Sequence, residues 1–290
     1  MSNRFSVDLR LGQLSLPLCV VAGQVFRWQQ LGEGNWVGVD GSHWYRIREG
    51  GLRLNVESNA GPDEFSELFR LDWDEREINA KLLEIDSDLE PYMSSLRGLR
   101  LMRPSDPVET FFCFLCTPNN NVTRITGMVR TLGAFGEPLT DGLTVFPTVE
   151  RVAEIPEAEL RAKGFGYRGG TIPRIAQELL GRGGADYLHE LKSASYEGAH
   201  AALCSFNGIG PKLADCIALF ALHHTEAVPV DTHLWQAATR LYFPQWRESA
   251  LTDLKYRAIG TFFRERFGKL AGWAHQYLFY DNLLNWRSRR

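Results

Sequence analysis

The chain has 290 residues, 44% of them hydrophobic, enough to bury a substantial core in one large domain or two or three small ones. No apolar run is long enough to span a bilayer, and MSNRFSVDLRLGQLSLPLCVVAG has neither a basic n-region with a cleavage site nor an Arg/Ser-rich presequence. This excludes a membrane-embedded class and predicts an intracellular protein, in the cytoplasm or nucleoid of a prokaryote or the nucleus of a eukaryote. Five scattered cysteines, Cys19, Cys113, Cys116, Cys204 and Cys216, make no disulfide framework and read as reduced thiols. The net charge of -3 is segregated: residues 57–90 carry twelve Asp or Glu against Arg70, Arg76 and Lys81, which leaves the rest of the chain positive. Attraction to phosphates acts within a Debye length of about 10 Å, so this average does not exclude a nucleic-acid partner.

From Arg4 to about Ser58 short apolar runs alternate with Gly-containing breaks, in FSVDLRLGQLSL, WVGVD and WYRIREGGLRLNV, and predict an antiparallel sheet. From about Pro62 the period changes. FSELFRL, INAKLLEI, VETFFCFLC, TRITGMVRTL, IPRIAQELL, EGAHAALCSF, KLADCIALFAL and AGWAHQYLFYDNLL all suit helices. The expected fold is α+β: an N-terminal β-rich domain over residues 1–100, ending in the acidic helical segment, packed on a mostly helical body over residues 101–290. Linker-like stretches are short, near 97–106 and 138–147, so the parts pack tightly.

In AHAALCSFNGIGPKLADCIALFAL, residues 199–222, two helical patterns meet across Asn207-Gly208-Ile209-Gly210. Gly208 and Gly210 allow positive φ and close approach, and the second helix starts with unpaired N–H groups and a positive dipole end to which a phosphate can dock. The same turn also serves to join two helices in any helical protein. Lys212 lies just inside the second helix, where the dipole disfavours a cation. Nineteen residues on, Asp231 precedes the helical stretch LWQAATRLY and reads as its N-cap. By themselves these two are better explained as a surface lysine and a capping aspartate, the commoner fate of such residues.

Gly208-Ile209-Gly210-Pro211-Lys212 followed by Val230-Asp231-Thr232-His233 resembles the helix-hairpin-helix, Gly/Pro-rich loop and Asp signature of base-excision DNA glycosylases. Six further collinear blocks are similar to those of the eukaryotic-type 8-oxoguanine DNA glycosylase/AP lyases: Gly23 to Trp28, Asp106 to Glu109, Asn119 to Asn121, Arg124 to Met128, Gly164 to Arg168, and Gly272 to Ala274. The resemblance implies a bifunctional DNA-repair enzyme that flips 8-oxoguanine out of double-stranded DNA opposite cytosine. Lys212 would attack C1′ and form a Schiff base that permits β-elimination, beside Asp231 as a fixed carboxylate. It also implies that the Gly23 carbonyl reads N7–H of the lesion, and that Cys216 and Phe279 sandwich the flipped base. Asn119, Arg124 and Arg168 are implied to hold the unpaired cytosine, with Tyr167 as the wedge. Gly208 and Gly210, by the N–H groups of their turn, and His233, near a helix start, are candidate phosphate contacts. Where the family commonly has a glutamine on the pairing edge of the base, this sequence has His275, with Gln276 next; helix neighbours point about 100° apart, so Gln276 is not a simple replacement.

Cys113 and Cys116 form a C-x-x-C pair without a second pair or spaced histidines, and read as core. No cysteine follows Cys216, so no iron-sulfur cluster is expected. No cofactor or catalytic metal is required, although the resemblance allows a structural cation on the carbonyls of Cys204, Phe206 and Ile209. His223-His224 could suggest a metal, but adjacent histidines on a helix point apart and read as solvent-facing or locally bonded. The expected enzyme is a monomer. A non-catalytic hairpin module would not need Lys212, Asp231 and the base-pocket blocks together, whereas a glycosylase for alkylated or ring-opened purines stays open on His275.

Overall fold

Alternation near the N-terminus produces a five-stranded antiparallel sheet in the computed structural model, which describes residues 2–288. The strands are β1 (Asn3–Asp8), β2 (Trp28–Gly32), β3 (Asn35–Asp40), β4 (His43–Gly50) and β5 (Arg53–Ser58), in the order β1-β5-β4-β3-β2. β2 to β5 form a meander, and β1 pairs along the far edge of β5, Asn3 opposite Ser58. One stretch that reads as strand is instead helical: α1 spans Leu16–Val20, with Pro17 in its first turn and Leu16, Cys19 and Val20 buried on one face. Its five residues are too few for helical periodicity to compete with the alternation around them.

The inward face of the sheet packs Trp28, Trp36, Tyr45, Ile47, Leu54 and Val56 against α1 and α2 (Pro62–Leu68), whose Phe65 and Leu68 complete this first core. A second, larger core lies among the helices. It takes in Ala22 and Phe26 from the segment before β2, and then α3 (Glu75–Ile85) and α4 (Glu90–Ser95), which contribute Ile78, Leu82 and Met93, so the acidic segment presents its apolar stripe to the helical side. α5 (Pro107–Leu115) is buried along its entire length, capped by Asp106, whose carboxylate accepts the Val108 N–H at 2.8 Å. Cys113 and Cys116 belong to this core, and burial pushes the Cys116 thiol up to about 12.

The remaining helices are α6 (Val122–Gly133), α7 (Val149–Glu154), α8 (Glu157–Ala162), α9 (Arg168–Leu180), α10 (Ala185–Ser193), α11 (Tyr196–Cys204), α12 (Pro211–Phe220), α13 (Thr232–Leu241), α14 (Asp253–Phe267) and α15 (Ala271–Ser288). The stretch that reads as a linker at 138–147 contains a small hairpin of β6 (Pro138–Thr140) and β7 (Leu143–Thr144). Arg27, one residue before β2, joins the two halves. Its Nη1 donates to Glu109 of α5 at 3.0 Å and its Nη2 to the Thr144 carbonyl of β7. No helix among the described residues is long and apolar enough to cross a membrane.

Candidate active site

The hairpin consists of α11 and α12. Gly208 takes φ +109 in the turn, a conformation L side chains rarely adopt. Gly210 does not share it: at φ -89 and ψ 174 it is the extended N-cap of α12, followed by Pro211 in the first turn. Arg174 of α9 steadies the turn by donating to the Asn207 carbonyl at 2.9 Å.

Lys212, the second residue of α12, is half-buried and faces a cleft of about 930 Å³ between the sheet domain and the helices. Burial pulls its ammonium down, but the Cys216 sulfur one helical turn on and the Asp231 carboxylate outweigh that, and the net shift is upward. Cys216 is a buried thiol whose own ionisation is pushed up by desolvation. Asp231 caps α13 as the spacing predicts, its Oδ1 accepting the Leu234 N–H at 2.8 Å and its backbone carbonyl accepting from Trp235. It is the one carboxylate among the described residues lining the cleft.

The facing wall comes from α15. Gly272 lets this helix press on the end of α12: a Cβ there would lie 2.6 Å from Leu219 Cδ1 and 2.7 Å from the Thr225 carbonyl oxygen. His275 and Phe279, one turn apart, stack at 5.7 Å with ring planes 9° apart, and both line the cleft. His275 Nε2 donates to the Pro229 carbonyl at 3.0 Å, which leaves Nδ1 as an acceptor. Burial and the nearby Lys212 hold this imidazole at about 3, against the opposing pull of the Pro229 carbonyl. His233 sits in the same wall, edge-on to Phe279 at 5.8 Å and bonded to Asn282 at 3.2 Å, rather than at the hairpin turn. Opposite, Gly23 borders the cleft at φ +77, with open space where a Cβ would point.

A second group gathers at the rim. Asn120 and Asn121 line the cleft, and Asn119 beside them is exposed at φ +49. Tyr167 is 54% exposed at the start of α9. Arg124 is also exposed and donates to the Gly164 carbonyl at 3.1 Å, so α6 and the loop before α9 meet. Arg168 is not a free surface arginine: it is 3% exposed, donates to the Pro118 carbonyl, and lies over the Tyr167 ring at 4.6 Å.

Lys212, Asp231, Cys216, Gly23, His233, His275 and Phe279 thus share one cleft, while Asn119, Arg124, Tyr167 and Arg168 cluster beside it and Gly208 and Gly210 form the turn behind Lys212. Two features have no role in the sequence reading. Gln276 lines the cleft, although it is one residue off the His275 stripe. Asp215 of α12 is buried and accepts from Tyr196 at 2.7 Å and from Tyr256, tying the lysine helix to α11 and α14. An acid within the apolar run KLADCIALFAL is the signal for such a buried anchor. The two adjacent histidines follow α12 in a loop and, contrary to expectation, are neither solvent-facing nor locally bonded: His223 donates to the distant Pro104 carbonyl at 2.9 Å and the buried His224 to the Leu191 carbonyl of α10 at 3.0 Å, so both tie the end of α12 to remote parts of the fold.

Residues 6–111 match the N-terminal domain of 8-oxoguanine DNA glycosylase, and residues 116–255 match the HhH-GPD superfamily of base-excision DNA repair proteins. The chain is 36% identical to N-glycosylase/DNA lyase OGG1 of Arabidopsis thaliana over 96% of its length and 80% of that protein's. It is 36% identical to an N-glycosylase/DNA lyase of Saccharomyces cerevisiae over 67% of its length and 60% of that protein's. Its fold superposes with a TM-score of 0.84 on the Clostridium acetobutylicum 8-oxoguanine glycosylase/lyase bound to double-stranded DNA with cytosine opposite 8-oxoG, at 28% identity over 98% of each chain. The chain belongs to the 8-oxoguanine DNA glycosylase family of the HhH-GPD superfamily.

Proposed function

We infer that this protein is a base-excision repair enzyme that removes 8-oxoguanine opposite cytosine from double-stranded DNA and then nicks the strand, acting as a monomer. The observation that carries the reading is the meeting of Lys212 and Asp231 in one cleft whose other walls supply Phe279, Cys216 and His275. That is the combination base excision needs: a nucleophile, a fixed negative charge and a pocket for a planar base.

As the bond from C1′ to the base breaks, its electron pair leaves with the base and positive charge develops on the sugar. Asp231, held by the Leu234 N–H, stabilises that charge from a fixed position. Lys212 rests as an ammonium, since its net shift is upward, and must give up its proton before Nζ bonds to C1′. The sugar ring then opens to a Schiff base, a proton leaves C2′, and the 3′ phosphate is expelled. Gly23, with no side chain, lines the cleft, and its carbonyl would accept the N7–H that only the oxidised base carries. The flipped-out base leaves cytosine unpaired, and Arg124, Arg168 and Asn119 gather beside Tyr167 at the rim to receive it. The hairpin turn and the start of α12 offer N–H groups to a phosphate. Its carbonyls suit a hard cation, those of Cys204 and Ile209 more so than that of Phe206, which already accepts the Ile209 N–H at 3.1 Å.

The test is cleavage of duplexes carrying 8-oxoguanine opposite C or opposite A, with borohydride trapping, for wild type and Lys212→Gln. Trapped product from wild type alone, faster opposite C, is the expected result. Absence of excision by a folded wild-type preparation sinks the substrate assignment.

A further inference from the structure

Asp215 is 1% exposed, stands on α12 three residues after Lys212, and has no part in the excision steps described above. A buried carboxylate is costly unless its oxygens are bonded, and here both are. Oδ1 accepts the Tyr196 hydroxyl of α11 at 2.7 Å, and Oδ2 accepts the Tyr256 hydroxyl of α14. Arg264 of α14 backs the first of these contacts, donating to the Tyr196 hydroxyl at 3.0 Å. His200 of α11 closes the ring: its Nε2 lies 3.7 Å from Asp215 Oδ2 and 3.3 Å from the carbonyl of Pro211, the residue before Lys212. The first turn of α12 is thus gripped from behind, by side chains that do not line the cleft.

Tyr256 reaches further. The Val230 N–H also donates to its hydroxyl, and Val230 immediately precedes Asp231. One phenol therefore stands between the helix that carries Lys212 and the segment that carries Asp231. Charge is transmitted along with position. Residues three and four apart on a helix are neighbours, so Asp215 and Cys216 both flank Lys212. Burial opposes the Lys212 ammonium, while Cys216, Asp231 and Asp215 favour it, with His275 facing the lysine from α15. Burial likewise opposes the Asp215 carboxylate, while His200, Tyr256, Tyr196 and Arg264 favour it, and Cys204 of α11 also faces it.

We propose that Asp215 and Tyr256 are positioning residues for the lysine chemistry: their contact sets the spacing of Lys212 from Asp231 around C1′, and the Asp215 charge restrains Lys212 from giving up its proton. This deepens the base-excision reading and rests on it. The two roles come apart in two variants. Asparagine at 215 keeps the size and still meets both tyrosines, Oδ1 as acceptor and Nδ2 as donor, but carries no charge. Phenylalanine at 256 keeps the ring and the Asp215 charge but removes the hydroxyl that bridges Asp215 to Val230.

Single-turnover borohydride trapping of a preformed abasic duplex at saturating enzyme and pH 7, beside duplex affinity and thermal melts, tests the proposal. Tyr256→Phe is expected to trap roughly three- to tenfold more slowly at unchanged affinity, since the amine is displaced while the DNA contacts stay. Asp215→Asn is expected to trap roughly three- to tenfold faster, because a lysine relieved of one nearby negative charge is more often neutral at this pH. A contact that serves packing alone would slow trapping in both variants and speed it in neither. A wild-type rate in Tyr256→Phe, or a rate at or below wild type in an Asp215→Asn protein that melts normally, would overturn the proposal. Where one variant melts early, the other decides alone. If wild type itself traps no abasic duplex, the base-excision reading falls and this proposal with it, a result distinct from either of the others.

Discussion

Asp231 Oδ1 accepts the Leu234 N–H at 2.8 Å, so the carboxylate proposed to stabilise the reacting sugar is also the cap of α13. One side chain has two separable jobs. Asparagine caps a helix as well as aspartate but carries no charge, whereas alanine does neither. Asp231→Asn is therefore expected to keep wild-type stability and lose excision by at least about 100-fold, the scale of one preorganised electrostatic contact. Asp231→Ala is expected to lose a similar rate and about 1 kcal/mol of stability. Thermal melts beside single-turnover excision check both, and a full-rate Asp231→Asn variant would remove charge stabilisation from the mechanism.

The seat of α15 depends on a missing side chain. An alanine Cβ at Gly272 would meet Leu219 and the Thr225 backbone at under 3 Å, and backbone cannot move aside as a side-chain tip can. Gly272→Ala is expected to destabilise the protein by roughly 1–3 kcal/mol, as overpacking does. It also shifts His275 and Phe279, carried on the same helix, against Lys212. Base excision is expected to fall more than cleavage at a preformed abasic site, because only the former uses the α15 wall. An equal fall in both activities would mean that the helix has not moved relative to the base.

Legibility in the sequence followed the reach of each physical signal. Asp231 was readable as a cap because capping is local, and Lys212 stood out because a cation at a helix start conflicts with the dipole. α1 was not readable, since five residues are too few to show a period, and the hairpin β6–β7 was hidden because its strands of three and two residues, with only Pro138 opposite Thr144 and Thr140 opposite Leu143, are too short to show alternation. Gln276 was missed for another reason. Helical geometry separates it from His275 by about 100°, but the cleft is wide enough to touch both faces, a property of packing between distant elements that no local pattern encodes. Likewise nothing in Tyr167-Arg168 discloses that the arginine turns inward to the Pro118 carbonyl, fifty residues away.

Acid should weaken the fold through His275. Burial first, and the Lys212 charge after it, hold its folded value at about 3, partly opposed by the Pro229 carbonyl, while an unfolded histidine titrates near 6.5. Between those values the unfolded chain binds the extra proton, so stability rises with pH through this window and falls as the solution is acidified. Going from pH 7 to pH 5 this group alone removes about 2 kcal/mol. His223, likewise lowered to about 3 by burial, adds in the same direction. Urea unfolding of wild type and His275→Gln at both pH values should show a smaller acid loss in the variant by about that amount, and parallel curves would mean that His275 is not neutral in the folded protein.

The two rim arginines should separate recognition from stability. Arg124 is exposed and holds only the Gly164 carbonyl, so its loss removes little that the folded state needs. Arg168 is buried under Tyr167 and bonded to Pro118, and its removal opens a gap beneath the wedge and leaves that carbonyl short of a partner. Arg124→Ala is therefore expected to leave the melting temperature unchanged and to lower the preference for cytosine over adenine opposite the lesion by about tenfold, the low end for loss of one specific base contact. Arg168→Ala is expected to lower that preference equally and to cost roughly 1–3 kcal/mol of stability, as losses of buried hydrogen-bonded groups do. In the free protein Arg168 Nη2 is already engaged, so an encounter with cytosine must release the Pro118 carbonyl or use the remaining N–H groups. Excision rates opposite each of the four bases, measured beside thermal melts, resolve the two effects. If Arg168→Ala destabilises the protein but keeps the full preference for cytosine, the arginine is a strut for Tyr167 and the unpaired base is held by Arg124 and Asn119 without it.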